Sequence, residues 1–183
     1  MKNRAATKLA VLGMLSALML VLGYLEYLLP VATAVPGIKL GLSNTVLIYS
    51  LYLFAPQTTF LLMGVKVLLS GLLFGGVSAM MYSFAGGFLS LLGMLLLRKS
   101  RKFSIVGISV AGAVLHSVGQ VLLAMWILRT NQLIYYMAVL MLTSAAAGCL
   151  TGIAADRVLH LMRGKAFQQA YTKEDDLKKQ PKE

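Results

Sequence analysis

Lys66 stands in LLMGVKVLLSG, an ammonium with apolar neighbours on both sides. A lysine at the centre of a membrane helix costs ~2.5–3.5 kcal/mol on insertion scales, so such a group needs a reason to be there. Two readings stand. The lysine is a cation turned into an internal cavity, ready for the anionic group of a ligand, or it is a structural partner for another polar side chain. Glu26 and Lys39 flank a connecting stretch that ends in PGIKLGLSN, residues 36–44. They pair with each other, or the stretch folds over a pocket and brings both to a ligand. Pro36-Gly37 forces a turn. The helix that follows begins with unpaired backbone N–H groups and a positive dipole end, which together with Lys39 suit an anion. Ser43 and Asn44 add neutral hydrogen-bonding groups one turn deeper. His116 and Gln120 are spaced i, i+4 and share a helix face. Gly112 and Gly119 permit close helix approach nearby. That polar pair is either glue between helices or pocket lining, and a zinc site would need ligands that the sequence does not offer.

Several chemistries are missing. There is no phosphate-loop lysine motif, so ATP binding of that kind is not expected. No Ser-His-Asp or Cys-His order is evident. The chain has six acidic residues, and Glu174-Asp175-Asp176 falls in a polar tail without the DDxxD spacing that holds catalytic metal ions. The single cysteine, Cys149, lies in an apolar stretch and can form no intramolecular disulfide. The expectation is a non-enzyme without cofactor or metal.

The elements that would hold these residues follow from composition. Of 183 residues, 58% are hydrophobic and 13% charged, with a mean hydropathy of +0.79. The apolar runs approach the ~20 residues that cross a ~30 Å hydrocarbon core. An all-α integral membrane protein is expected. Six spans are read: Leu9 to Leu29, Leu40 to Ala55, Thr58 to Phe74, Ala79 to Leu97, Phe103 to Leu128 and Leu133 to Val158. Pro30, Pro56 and Gly75-Gly76 punctuate them. They form one transmembrane domain over residues 1–163, with a polar tail over 164–183. The run from Leu9 exceeds the 7–15 apolar residues of a signal peptide, so it reads as a retained helix.

The net charge of +11 gathers at three places. These are Lys2, Arg4 and Lys8, then Arg98-Lys99-Ser100-Arg101-Lys102, then Arg157, Arg163 and Lys165. Six spans put all three on one side, and the positive-inside rule makes that side, with both termini, cytoplasmic. Tyr24, Tyr27, Trp126, Tyr135 and Tyr136 then collect at the opposite ends, as an interfacial aromatic belt does. Ala6, Ala10, Gly13 and Ala17 form a small-residue stripe on the first span, suited to packing inside the bundle or to docking another membrane protein. Gly148 and Gly152 make a weaker stripe on the sixth. Asp156 and Arg157 read as a charge pair at the inner end of that span.

Four stretches carry a resemblance: EYLLP (26–30), PGIKLGLSN, SFAGGFLSLLGM (83–94) and AVLHSVGQVLLA (113–124). With them the chain resembles the heptaprenyl diphosphate synthase component I family, also called the Gx transporter family. That family's fifth segment carries His-Asn-x-Gly-Gln, and Ser117 stands here in place of the Asn. The family is in turn similar to the S components of energy-coupling factor (ECF) importers. The resemblance implies a six-helix bundle in a bacterial cell membrane that binds a small molecule near the outer face. It implies docking to a T component through Ala10, Gly13 and Ala17, with two ATPase subunits driving the cycle. It implies a pocket lined by Lys39, Asn44, Lys66, Ser83, His116 and Gln120, to which the reading of the connecting stretch adds Glu26. The expected ligand is a small anionic molecule, vitamin-like or related to isoprenoids and quinones. The alternative is a non-catalytic membrane partner of prenyl-quinone synthesis or of a flavin/quinone electron-transfer system. Nothing in the chain resembles the soluble, Asp-rich apparatus that synthesises prenyl diphosphates.

Overall fold

The computed structural model describes residues 2–28, 42–100 and 102–162. All regular structure among them is helical. Helix α1 is Lys2–Leu28. A 3-10 turn, Leu42–Asn44, leads into the short helix α2, Thr45–Leu53. Helix α3, Pro56–Ser70, begins with the proline at a position where its missing N–H is no loss. It runs through one π-helical turn, Gly71–Gly75, into α4, Gly76–Ser100. Helix α5 is Ile105–Leu128, its first turn capped by the Ser104 hydroxyl, which accepts from the Gly107 amide. Helix α6 is Leu133–Met162.

Four helical stretches are long and apolar enough to cross a membrane: Ala6–Leu28, Pro56–Ser100, Ile105–Leu128 and Leu133–His160. The stretch Leu42–Leu53 is apolar but shorter. Pro56–Ser100 is not a straight rod. Gly76 takes φ 69° and ψ −176°, a backbone state open in practice to glycine alone. Beyond it the chain doubles back. Gly71 lies against the Met80 side chain, Gly87 against Met63, and the rings of Phe60 and Phe88 are 6.1 Å apart. These pairings step antiparallel, so α3 and α4 form a hairpin.

Antiparallel contact continues around the bundle. Helix α4 meets α5 at Gly86 against His116, at Ser90 and Met94 against Gly112, and at Gly93 against Leu115. Helix α5 meets α6 through hydroxyl pairs, Ser109 with Thr151 (3.4 Å) and Ser117 with Ser144. Gly148 and Gly152 bring the two backbones together: a Cβ on either would lie 2.9 Å from the Cα of Val110 or Val106. The weaker stripe therefore serves packing inside the bundle.

The short helix α2 is held at both ends by charges from its neighbours. At its start, the Glu26 carboxylate of α1 accepts from the backbone N–H of Leu42 (2.7 Å) and of Ser43 (3.4 Å). At its finish, the Arg98 guanidinium of α4 donates to the Leu51 carbonyl and stacks 5.1 Å from the centre of the Tyr52 ring. A carboxylate at a helix N-terminus and a guanidinium at the C-terminus both match the helix dipole. Ser50 donates to the Thr59 hydroxyl at 2.7 Å across the α2–α3 junction. Twelve residues from Leu42 to Leu53 would be marginal as an isolated helix. Here Glu26 and Arg98 supply partners to backbone groups at its two ends.

Polarity is distributed inside out. Large apolar side chains face outward, among them Leu9, Leu72, Trp126, Tyr135 and Leu142. The interior holds Glu26, Asn44, Lys66, His116, Gln120 and several serines beside its apolar clusters. That distribution is what a hydrocarbon solvent favours. The chain is a multi-pass helical membrane protein.

Candidate functional site

Lys66 is 4% exposed, and its Nζ donates to the Asn44 Oδ1 at 2.7 Å. The contact joins the middle of α3 to the turn that opens α2. A buried ammonium keeps its charge only with close oxygen partners, and the carboxamide oxygen supplies one. Asn44 is equally buried, and its Nδ2 meets no hydrogen-bond partner. A buried N–H left unmade costs about 1–3 kcal/mol. The apolar interior therefore holds a donor with nothing to donate to.

Glu26 reaches the same turn from α1, at the residues just before Asn44. Besides the two backbone N–H groups, its carboxylate accepts from the Ser43 hydroxyl at 3.1 Å. The sequence marks the start of this helix as a place for an anion. In the structure the anion there is the chain's own carboxylate. Lys39, the other charge expected here, falls outside the described residues.

His116 and Gln120 form the second polar group. They are 1% and 0% exposed, with the Gln120 Nε2 2.8 Å from the His116 Nε2. An amide N–H donating to Nε2 requires the neutral imidazole with its proton on Nδ1. The pair stands against Gly86 of α4, where a Cβ would come within 2.5 Å of the His116 carbonyl oxygen and 2.9 Å of its Nδ1. Ser83 is buried on the same face of α4, with Gly87 and Ser90 one and two turns on. The Leu42–Asn44 turn packs against α1, α5 and α6, so the Lys66 group and the helix carrying His116 belong to one interior. Among the described residues, no cluster of three metal-ligating side chains occurs.

The remaining expected residues sort clearly. Ala10, Gly13 and Ala17 are all exposed, and a Cβ on Gly13 would touch nothing within 4 Å. The stripe on α1 thus looks away from the bundle, unlike Gly148 and Gly152. Asp156 faces His160 at 3.6 Å, one turn along α6, in place of a pairing with its neighbour Arg157. The arginine clamp on α2 has no signal in the sequence, where Arg98 reads as a topology charge. Its chain neighbours Lys99 and Lys102 are exposed, as that reading has it.

The Glu26 contacts predict a measurable effect. Glu26→Ala leaves the Leu42 and Ser43 N–H groups and the Ser43 hydroxyl without this acceptor, and removes the negative end of a helix-dipole contact. A loss of about 1–3 kcal/mol is expected. Hydrogen exchange should accelerate selectively at the Leu42 and Ser43 amides, with α5 and α6 unchanged.

A bundle with an apolar exterior and charged and carboxamide groups gathered inside it defines a membrane protein of the polytopic, polar-cored kind. The chain belongs to the heptaprenyl diphosphate synthase component I family, whose pattern matches residues 15–158. No curated protein matches it, and no solved structure does.

Proposed function

We propose that this chain is the substrate-binding membrane subunit, the S component, of an ECF-type importer for a small anionic molecule. The observation that carries the reading is the buried Lys66–Asn44 pair, a cation and an unmet donor inside an apolar bundle. A protein needing only a stable core gains nothing from that arrangement, since apolar residues of similar volume serve as well or better.

Three features support the rest. Counting the two arms of the hairpin at Gly76 separately and adding the short helix α2 gives the six helices that a six-span reading needs. In a six-span arrangement the ends carrying Tyr24, Trp126 and Tyr135 face outward and those carrying Arg98 and Lys99 face the cytoplasm, as the positive-inside rule expects. The exposed stripe of Ala10, Gly13 and Ala17 is shaped for close approach of a partner helix, here assigned to a T component that works with two ATPase subunits. Ser83, His116 and Gln120 would line the site together with the Lys66 pair. No catalysis is assigned to the chain.

One other reading is a non-catalytic membrane partner of prenyl-quinone synthesis, which the family's description favours, or of a flavin/quinone electron-transfer system. Gly13→Leu separates the two. The substitution meets open space, so the isolated chain should fold and melt as before. An affinity-tagged wild-type chain should bring down a T component and two ATPases from its native membrane, and the variant should lose them. Retention of a prenyl synthase or redox subunit by both proteins would favour the other reading.

A further inference from the structure

Asparagine carries an acceptor at one end of its amide and donors at the other. At Asn44 the choice is forced. Lys66 has only donors to offer, so the 2.7 Å contact requires the carboxamide oxygen on that side. The Nδ2 group is thereby fixed as a donor, and it is the atom that stays without a partner in a side chain 4% exposed. Beside it stands the ammonium that sets its orientation. The neighbouring acid does not compete for this donor. Both Glu26 oxygens are engaged by Leu42 and Ser43.

We propose that Asn44 Nδ2 and Lys66 Nζ form the recognition point for one anionic oxygen group, a carboxylate or a phosphate. Resting on the capture reading above, this assigns the selecting chemistry to two named atoms. An oxyanion has several lone pairs and no proton of its own, so it satisfies the amide donor and balances the ammonium together. A ligand ammonium brings a like charge and more donors. A neutral amide can accept from Nδ2 but brings no negative charge to the neighbouring ammonium. Lys66 acts twice, by attracting the anion and by holding the Asn44 amide with its donor end free to meet it.

The sequence makes the test clean, because the chain has only three asparagines, Asn3, Asn44 and Asn131. The full chain is labelled with 15N at asparagine side chains and placed in phosphatidylcholine nanodiscs. The Asn44→Asp variant assigns the Asn44 signal by its disappearance. Sodium formate, the smallest carboxylate, is titrated against methylammonium chloride and formamide as small cationic and neutral probes. The expected result is a saturable shift of the Asn44 Nδ2 signal with formate, at least about tenfold weaker with either other probe. Lys66→Gln should lose the formate response. The same oxyanion chemistry could come from a lipid headgroup. In nanodiscs containing phosphatidylglycerol, a shift present before formate is added identifies lipid phosphate as the source. A shift that needs formate identifies a soluble anion, and both results uphold the recognition point. If formate and phosphatidylglycerol both leave Asn44 unmoved, or methylammonium acts as strongly as formate, the proposal is overturned. The titration contains no importer partner, so failure of the capture reading in the Gly13→Leu experiment leaves this outcome unaffected.

Discussion

Lys66→Met should abolish retention of the native ligand and leave the bundle folded. The two halves of that expectation come from different terms. For stability, methionine removes a charge whose placement in a membrane helix costs ~2.5–3.5 kcal/mol. Against that, the variant loses a charge-assisted hydrogen bond to Asn44 worth about 1.5–3 kcal/mol. The opposed terms are of similar size, so the net change is small. For binding there is no such cancellation. Truncating one partner of a buried, hydrogen-bonded charge pair costs about 2–5 kcal/mol, roughly thirty-fold to several thousand-fold in affinity. Loss of ligand should therefore appear at unchanged melting temperature and helix content. A variant that unfolds would make Lys66 a structural residue. One that keeps full affinity would remove the lysine from the site.

Among the described glycines that pack against backbone atoms, Gly86 makes the tightest contact, and Gly86→Ala should be strongly disruptive. Its Cβ would lie 2.5 Å from the His116 carbonyl oxygen, 2.8 Å from the Gln120 Cγ and 2.9 Å from the His116 Nδ1. The nearest of these atoms is backbone and cannot swing aside, so the helices themselves must part. Gly119 forms the other half of the same crossing, with a Cβ there 2.9 Å from the Ala85 carbonyl oxygen. Overpacking of this kind costs about 1–3 kcal/mol and sometimes more, beyond the ~1 kcal/mol that alanine gains over glycine within a helix. The apparent melting temperature should fall by several degrees, and ligand binding should weaken because His116 and Gln120 move with the crossing. Gly64→Ala is the control. A Cβ at that position meets nothing within 4 Å, so it should leave stability unchanged or slightly raised.

Much of the helical layout was legible because proline and glycine punctuate it. The expected segment from Thr58 to Phe74 corresponds to α3 and its π turn, even though Lys66 interrupts the apolar pattern. The expected break at Gly75-Gly76 is where the hairpin reverses. The polar residues were also legible, since each stands out in an apolar stretch. Their partners were not. Glu26 and Leu42 are 16 residues apart, and Arg98 reaches a carbonyl 47 residues away. No local periodicity encodes which helix end will need a charge. The two small-residue stripes look alike in sequence for the same reason. Spacing tells that Gly13 and Gly148 each lie on a smooth helix face, but the surroundings decide. Gly148 is pressed on Val110 and Ala113, whereas Gly13 faces open space.

The account rests on capture of a small anionic molecule by a subunit that works with others. Native mass spectrometry of the chain, extracted gently from its own membrane, tests this most directly. A bound small anion, or a complex with a T component and two ATPases, is the predicted result. A chain with neither, or one carrying a prenyl synthase or redox subunit, would contradict it and favour a membrane accessory protein.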